Sequence, residues 1–245
     1  MDDGNALGDP DVEGTVVGIP AYNEANTIGG VVSESSNVAE EVLVVDDGSD
    51  DGTARIARSA GATVIRHDRN RGYGAALKAI FEEAARRSAT HLVTLDGDAQ
   101  HDPSDIPRLV GHLDRTGAGV VVGSRFVGSG ATDAPLYRRF GLHLLNTLAV
   151  VALGRAGSSS PITDTQSGFR AYDRRVIRAL AGRDRISDHM GASTDVLYLA
   201  CQDGFSVEEV GTEISYDVET TSTENPVSHG TVLLKNVLRT IVFGP

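Results

Sequence analysis

The chain is poor in several things, and each shortage excludes a class of protein. It has one cysteine, Cys201, in 245 residues, so no intramolecular disulfide framework holds it together. That thiol lies in an apolar stretch with helical spacing and reads as packing, not as a nucleophile. Tryptophan is absent, and of 22 basic residues only Lys78 and Lys235 are lysine. Against them stand 34 acidic residues, for a formal net charge of −12. Phosphate repulsion therefore excludes nonspecific nucleic-acid binding. An acidic, lysine-poor surface suits concentrated salt, which screens its self-repulsion, as in proteins of salt-loving organisms. No run reaches the roughly 18 apolar residues that suggest a membrane span. The nearest, Phe140 to Gly154, is broken by His143, Asn146 and Thr147. The opening, Met1-Asp2-Asp3-Gly4-Asn5, is acidic where a secretory leader is basic.

What is present suffices for one large α/β domain, since 40% of the residues are hydrophobic. The first half alternates strand and helix signals. Short apolar runs at 15–19 (ended by Pro20), 42–45, 63–65, 92–95 and 119–122 predict strands. Helical signals lie between them at 24–33, 54–60, 73–89 and 106–113. The helix over 73–89 places Ala76, Leu77, Ile80, Phe81 and Ala84 on one face. Repeated βα units with continuous apolar strands predict a mostly parallel sheet covered by helices on both faces. Farther on, Ser167-Gly168-Phe169-Arg170 precedes a helix, and a helix over 194–202 leads to a strand over 205–210. The expected organisation is a flexible acidic tail (1–12), a folded domain (13–217), a mobile loop (218–230) and an amphipathic helix (231–245). With Lys235 and Arg239 spaced i, i+4, that last helix suits either the core or a membrane surface.

Polar clusters at 20–24, 46–49 and 96–100 each follow a strand, and ligands of such sheets bind outside the carboxyl ends of the strands. The richest cluster is Asp96-Gly97-Asp98-Ala99-Gln100-His101-Asp102-Pro103. If the chain stays extended past Leu95, alternation sends Asp96, Asp98 and Gln100 to one side. Such an oxygen set suits Mg²⁺ or Mn²⁺ with positions left for substrate phosphates. Asp102 caps the helix beginning at Pro103. Val45-Asp46-Asp47-Gly48-Ser49 lacks the lysine of a P-loop.

Taken in order, the motifs Ile19-Pro20-Ala21-Tyr22-Asn23-Glu24, Val44-Val45-Asp46-Asp47-Gly48-Ser49, Asn70-Arg71-Gly72-Tyr73-Gly74, Leu95-Asp96-Gly97-Asp98-Ala99-Gln100, Gly123-Ser124-Arg125, Asp164-Thr165-Gln166-Ser167-Gly168-Phe169-Arg170 and Asn225-Pro226-Val227-Ser228-His229-Gly230 closely resemble family 2 glycosyltransferases of the GT-A fold. The chain is most similar to the dolichyl-phosphate mannose or glucose synthase branch in its archaeal, haloarchaeal form, over about residues 15 to 240. The resemblance implies a single Rossmann-like GT-A domain with an acceptor-side C-terminal portion. It implies an inverting enzyme that moves a hexose from a UDP- or GDP-linked donor to dolichyl or polyprenyl phosphate, feeding protein N-glycosylation. A peripheral place at the cytoplasmic face of the cell membrane follows from it.

Carried over by motif, Pro20, Tyr22, Glu24, Asp46, Asp47, Asp96 and Gly97 correspond to the donor-binding set. One of Asp46 and Asp47 is expected to be a turn residue only. Asp98 and Gln100 correspond to the metal ligands, with Asp96 facing the donor or joining them. Asp96 and Asp98 thus count with Arg125 and Arg139 as catalytic. Arg125, Arg138 and Arg139 resemble the arginines that hold the acceptor phosphate, with fork-shaped donors suited to it. Asp164, Ser167, Arg170 and Asp195 are supporting residues, and Arg170 is expected to pair with a carboxylate or phosphate. His101 is set aside as a weaker ligand candidate. The chain departs from the family at Tyr216-Asp217 and Ser222-Thr223, where many relatives carry Tyr-Arg and Ser-Lys. Two other readings remain open at this point. One is transfer to a sugar hydroxyl, with Asp195 as base; the other is a nucleotide-sugar-binding protein without turnover.

Overall fold

The computed structural model describes residues 13–127, 162–183, 186 and 191–212. Seven strands make one sheet: β1 (Thr15–Ala21), β2 (Glu41–Asp46), β3 (Thr63–Arg66), β4 (His91–Thr94), β5 (Val120–Ser124), β6 (Arg170–Asp173) and β7 (Val207–Gly211). The helices among the described residues are α1 (Ile28–Ser35), α2 (Thr53–Ser59), α3 (Tyr73–Arg86), α4 (Ile106–Thr116), α5 (Arg174–Leu180) and α6 (Ala192–Gln202). The strand order is β3-β2-β1-β4-β6-β5-β7. All pairs are parallel except those of β6, which runs antiparallel to β4 and β5.

Alternation along the strands divides the core into two layers. Val16, Leu43, Val45, Leu92, Val120 and Val122 pack under α3, α5 and α6. Their neighbours Val17, Val42, Val44, Val93 and Val121 pack under α1 and α4. Burial on both faces explains the uninterrupted apolar runs. The predicted face of α3 is the buried one, and Cys201 is buried in α6.

Four local differences have physical causes. β1 runs through Pro20 to Ala21, because β1 pairs with β4 only as far as Gly18; beyond that point the missing N–H costs no ladder bond. α1 starts at Ile28, not near Glu24, because Asn23 is left-handed (φ 57) and the next two amides bond across to another loop. Glu24 N–H donates to Thr53 Oγ1 at 2.8 Å and Ala25 N–H to Asp51 at 3.0 Å. α3 ends at Arg86, ahead of the left-handed Ser88 (φ 59). β6 carries no strand signal in Arg170-Ala171-Tyr172-Asp173; it exists because β4 and β5 offer ladders on both sides.

Asp102 caps its helix as expected, accepting from Ser104 N–H at 2.8 Å ahead of a 3₁₀ turn at Pro103–Asp105. No described helix is long and apolar enough to cross a membrane. The acidic tail at 1–12, Arg138, Arg139, the apolar helix after them, Tyr216-Asp217, Ser222-Thr223, the loop at 218–230 and the helix at 231–245 lie outside the described residues.

Candidate active site

The carboxyl ends of β1, β2, β4 and β5 meet at one edge of the sheet, carrying Ala21, Asp46, Thr94 and Ser124. The loops there are tied together. Asn23 N–H donates to Ser49 Oγ at 2.9 Å, and Thr27 Oγ1 donates to the Gly97 carbonyl at 2.7 Å. Gly48 holds φ +79 with its Cα against Arg69, where a Cβ would lie 2.5 Å from a backbone carbon. Only glycine fits that turn.

The acidic segment is not the extended stretch that alternation assumes. The chain leaves β4 at Thr94 and turns through Gly97–Ala99, with Ala99 left-handed at φ 61. Asp98 Oδ1 accepts from Gln100 N–H at 3.0 Å and fixes the turn. Asp96 points inward instead. Tyr73 O–H donates to Asp96 Oδ1 at 3.3 Å, and a Cβ on Gly168 would lie 2.5 Å from Asp96 Oδ2. The turn, not the pleat, gathers the carboxylates.

Their electrostatics record the crowding. Burial, then the charge of Asp98, pushes Glu24 up to about 6. Burial and Asp98 likewise push Asp96 up to about 6, and burial raises Asp98 itself. Among the described residues, no three His, Cys, Asp or Glu side chains form a ready cage for a metal ion. The donor set fits a divalent cation that takes only one or two protein oxygens and draws the rest from diphosphate and water. Asp98 and the Gln100 amide are the residues that would hold it, and its charge would relieve the carboxylate crowding.

Just past the end of β1, Tyr22 stands 47% exposed. Both members of the acidic pair make bonds within the protein. Asp46 is buried, accepts from Ser49 N–H at 3.1 Å and pairs with Arg66 Nε at 3.0 Å. Asp47 meets His67 Nδ1 at 2.6 Å and accepts from the N–H groups of Arg71 (3.0 Å) and Gly72 (2.7 Å). It therefore shapes the 70–72 loop.

Arg125 lies edge-on against Asp164. Its Nε donates to Oδ2 at 2.7 Å and Nη2 to Oδ1 at 2.6 Å. The Arg125 N–H also donates to Asp164, and so does that of Ser167, each at 3.1 Å. Burial would raise Asp164, but Arg125 outweighs it and holds the carboxyl below its ordinary range. Arg170 is buried and donates to the carbonyls of Ser193 and Thr165. Its charge also acts on the carboxylates of Asp96 and Asp164. Asp195 is buried in the first turn of α6. His101 is buried too, with its ring 5.1 Å from Phe169 and Nδ1 without a hydrogen-bond partner among the described residues. Burial, then Arg125, lowers it to about 4. Three participants escaped the sequence reading: Tyr73 as a partner of Asp96, His67 as a partner of Asp47, and Glu209, which binds the 163–164 turn. Adjacent glutamates in a predicted strand, one per face, were the only signal for Glu209.

The mostly parallel seven-stranded sheet flanked by helices, with its polar loops at the strand ends, is a GT-A fold. The family model for glycosyl transferase family 2 matches residues 16–180; the chain belongs to that family and is a glycosyltransferase. A polyprenol monophosphomannose synthase of Mycolicibacterium smegmatis is 34% identical over 80% of this chain and 75% of its own. A dolichyl-phosphate hexose transferase of Haloferax volcanii is 30% identical over 89% of this chain and 90% of its own. Among solved structures, glucosyl-3-phosphoglycerate synthase from Mycobacterium tuberculosis, with Mn²⁺, UDP and glucosyl-3-phosphoglycerate, superposes with a TM-score of 0.67. It is 22% identical, with 93% of this chain and 78% of that one covered, a likeness of fold.

Proposed function

We propose that the protein transfers a hexose from a UDP- or GDP-linked donor to a polyprenyl phosphate such as dolichyl phosphate, with inversion. One oxygen of the lipid phosphate attacks the anomeric carbon; the bond from that carbon to the diphosphate oxygen breaks, and the nucleoside diphosphate leaves. The nucleophile is already anionic at neutral pH, so it needs cationic orientation more than a general base. Arg125, fixed edge-on by Asp164, supplies that orientation, with Arg138 and Arg139 as further candidates. Tyr22, Pro20 and Glu24 line the donor side with Asp46, Asp47 and Gly97, and Asp96 faces the sugar. Mg²⁺ or Mn²⁺, when bound at Asp98 and Gln100, would stabilise charge on the departing diphosphate.

The observation that carries this reading is the crowding of Glu24, Asp96 and Asp98 near Arg125, whose guanidinium Asp164 fixes in place. Two relatives whose names specify polyprenol- or dolichyl-phosphate sugars support the acceptor, and a similar fold solved with Mn²⁺ and UDP supports the cofactor and donor class. The product would supply lipid-linked sugar for protein glycosylation at the cytoplasmic membrane surface, in a cell rich in salt. The test is incubation with labelled UDP- and GDP-hexoses, dolichyl phosphate and Mn²⁺. Labelled lipid is expected; no labelled lipid with any donor rejects the acceptor.

A further inference from the structure

Glu209 lies on β7, the outermost strand on that side among the described residues, where a bland role is available: charges on edge strands discourage pairing with other chains. That role asks only for a carboxylate in water. Glu208, one residue earlier, meets His112 of α4 at 2.6 Å. Glu209 faces the other way, as alternation requires, and takes three donors. Its Oε1 accepts from Asp164 N–H at 2.7 Å, and its Oε2 accepts from Thr163 N–H at 2.9 Å and Thr163 Oγ1 at 2.8 Å. Thr163 and Asp164 belong to no helix or strand, so this grip sets the backbone that carries the Asp164 side chain. Asp164 in turn holds Arg125 through two parallel bonds. β7 runs alongside β5, in register from Val120↔Val207 to Ser124↔Gly211, and Thr212 N–H donates to the Ser124 carbonyl at 2.9 Å. The strand that carries Glu209 is thus bolted to the strand that ends one residue before Arg125.

We propose that Glu209 is a positioning residue for the acceptor phosphate: it clamps the Thr163–Asp164 backbone so that Asp164 fixes the direction of the Arg125 guanidinium. The inference rests on the reading of Arg125 given above. The chemistry requires a carboxylate. Two successive amides and a hydroxyl all donate, so a side chain with an acceptor at both oxygens satisfies them, while an amide presents a donor to one of them. A loosened Arg125 would leave donor binding intact and misplace the anion that attacks.

The test compares E209Q, E208Q, R125K and the E209Q/R125K double variant, with kinetics against dolichyl phosphate and nucleotide sugar measured separately. E209Q is expected to lose roughly 10- to 100-fold in kcat/KM for the lipid phosphate, the scale of a misplaced orienting group, with the donor KM unchanged. E208Q, on the same strand but the opposite face, is expected to behave as wild type. Because Glu209 acts through Arg125, the double variant is expected to be no worse than R125K. Impaired R125K alongside normal E209Q, multiplying losses in the double variant, or an equal rise in donor KM overturns the clamp. Normal lipid kinetics in R125K overturn the assignment of Arg125, and the clamp with it. If E209Q fails to fold, T163V removes one of the three donors, and a smaller loss confined to the lipid phosphate is expected; no such loss overturns the clamp.

Discussion

The Asp96 carboxylate rests against the Cα of Gly168, in a space one methyl group would fill. Gly168 does not hold a left-handed backbone, so alanine there is conformationally acceptable and its only new feature is the Cβ. That carbon would come within 2.9 Å of all three carboxyl atoms of Asp96. The carboxylate is the end of a short side chain and can swing away, so the damage should fall on the site and not on the fold. G168A is expected to lower kcat roughly 10- to 100-fold with little change in Tm. Steady-state rates and a thermal melt check this; near-normal rates would refute a defined position for Asp96.

The raised carboxylates make a pH prediction. Asp96 and Glu24 titrate near 6, above their ordinary values of 3.8 and 4.5. A folded-state pKa above the unfolded one means that protonation favours the fold. This contribution is complete below the ordinary values and is lost as pH rises through about 6. In chelator, D96N should therefore melt a few degrees above wild type at pH 7, and the advantage should vanish near pH 4. A lower Tm for D96N at pH 7 would contradict the crowding.

Asp164 has the opposite character. It is fully buried and its carboxyl is held low by Arg125. Removing one partner of such a pair leaves a charge uncompensated, at a cost of about 3 kcal/mol. D164A should melt roughly 6–12 °C lower, and its acceptor kinetics should fall with those of R125K. Unchanged stability would mean that the pair is loose in solution.

Much of the fold was legible in the sequence, and the reason is local physics. Val44, Val93 and Val121 are buried from both faces, so their segments read as apolar runs whatever the rest of the chain does. Asp102 announces its helix because a cap acts on the residue two positions on. The motifs that placed Asp46, Asp98 and Arg125 at strand ends were equally local. What escaped depends on distant segments. β6 has no pattern of its own and forms only between β4 and β5. One face for Asp96 and Asp98 required a chain extended past Leu95, whereas it turns through Gly97–Ala99, where loops from other strands meet it. Gly168 against Asp96, and Glu209 beneath Asp164, are contacts that no periodicity encodes.

The net charge of −12 predicts a response to salt. Screening should weaken self-repulsion between acidic surfaces, so Tm is expected to rise as KCl is raised toward molar concentration. Greater stability in low salt would contradict the reading of the composition.

The proposed chemistry requires a divalent cation and the donor diphosphate to meet at the 96–100 turn. Crystals grown with Mn²⁺ and UDP or GDP, measured for anomalous scattering, test this directly. The predicted result is a manganese peak roughly 2 Å from oxygens of Asp98 and Gln100, with diphosphate oxygens completing its coordination. A peak remote from that turn, or a nucleotide bound away from the carboxyl ends of β1 and β2, would contradict it.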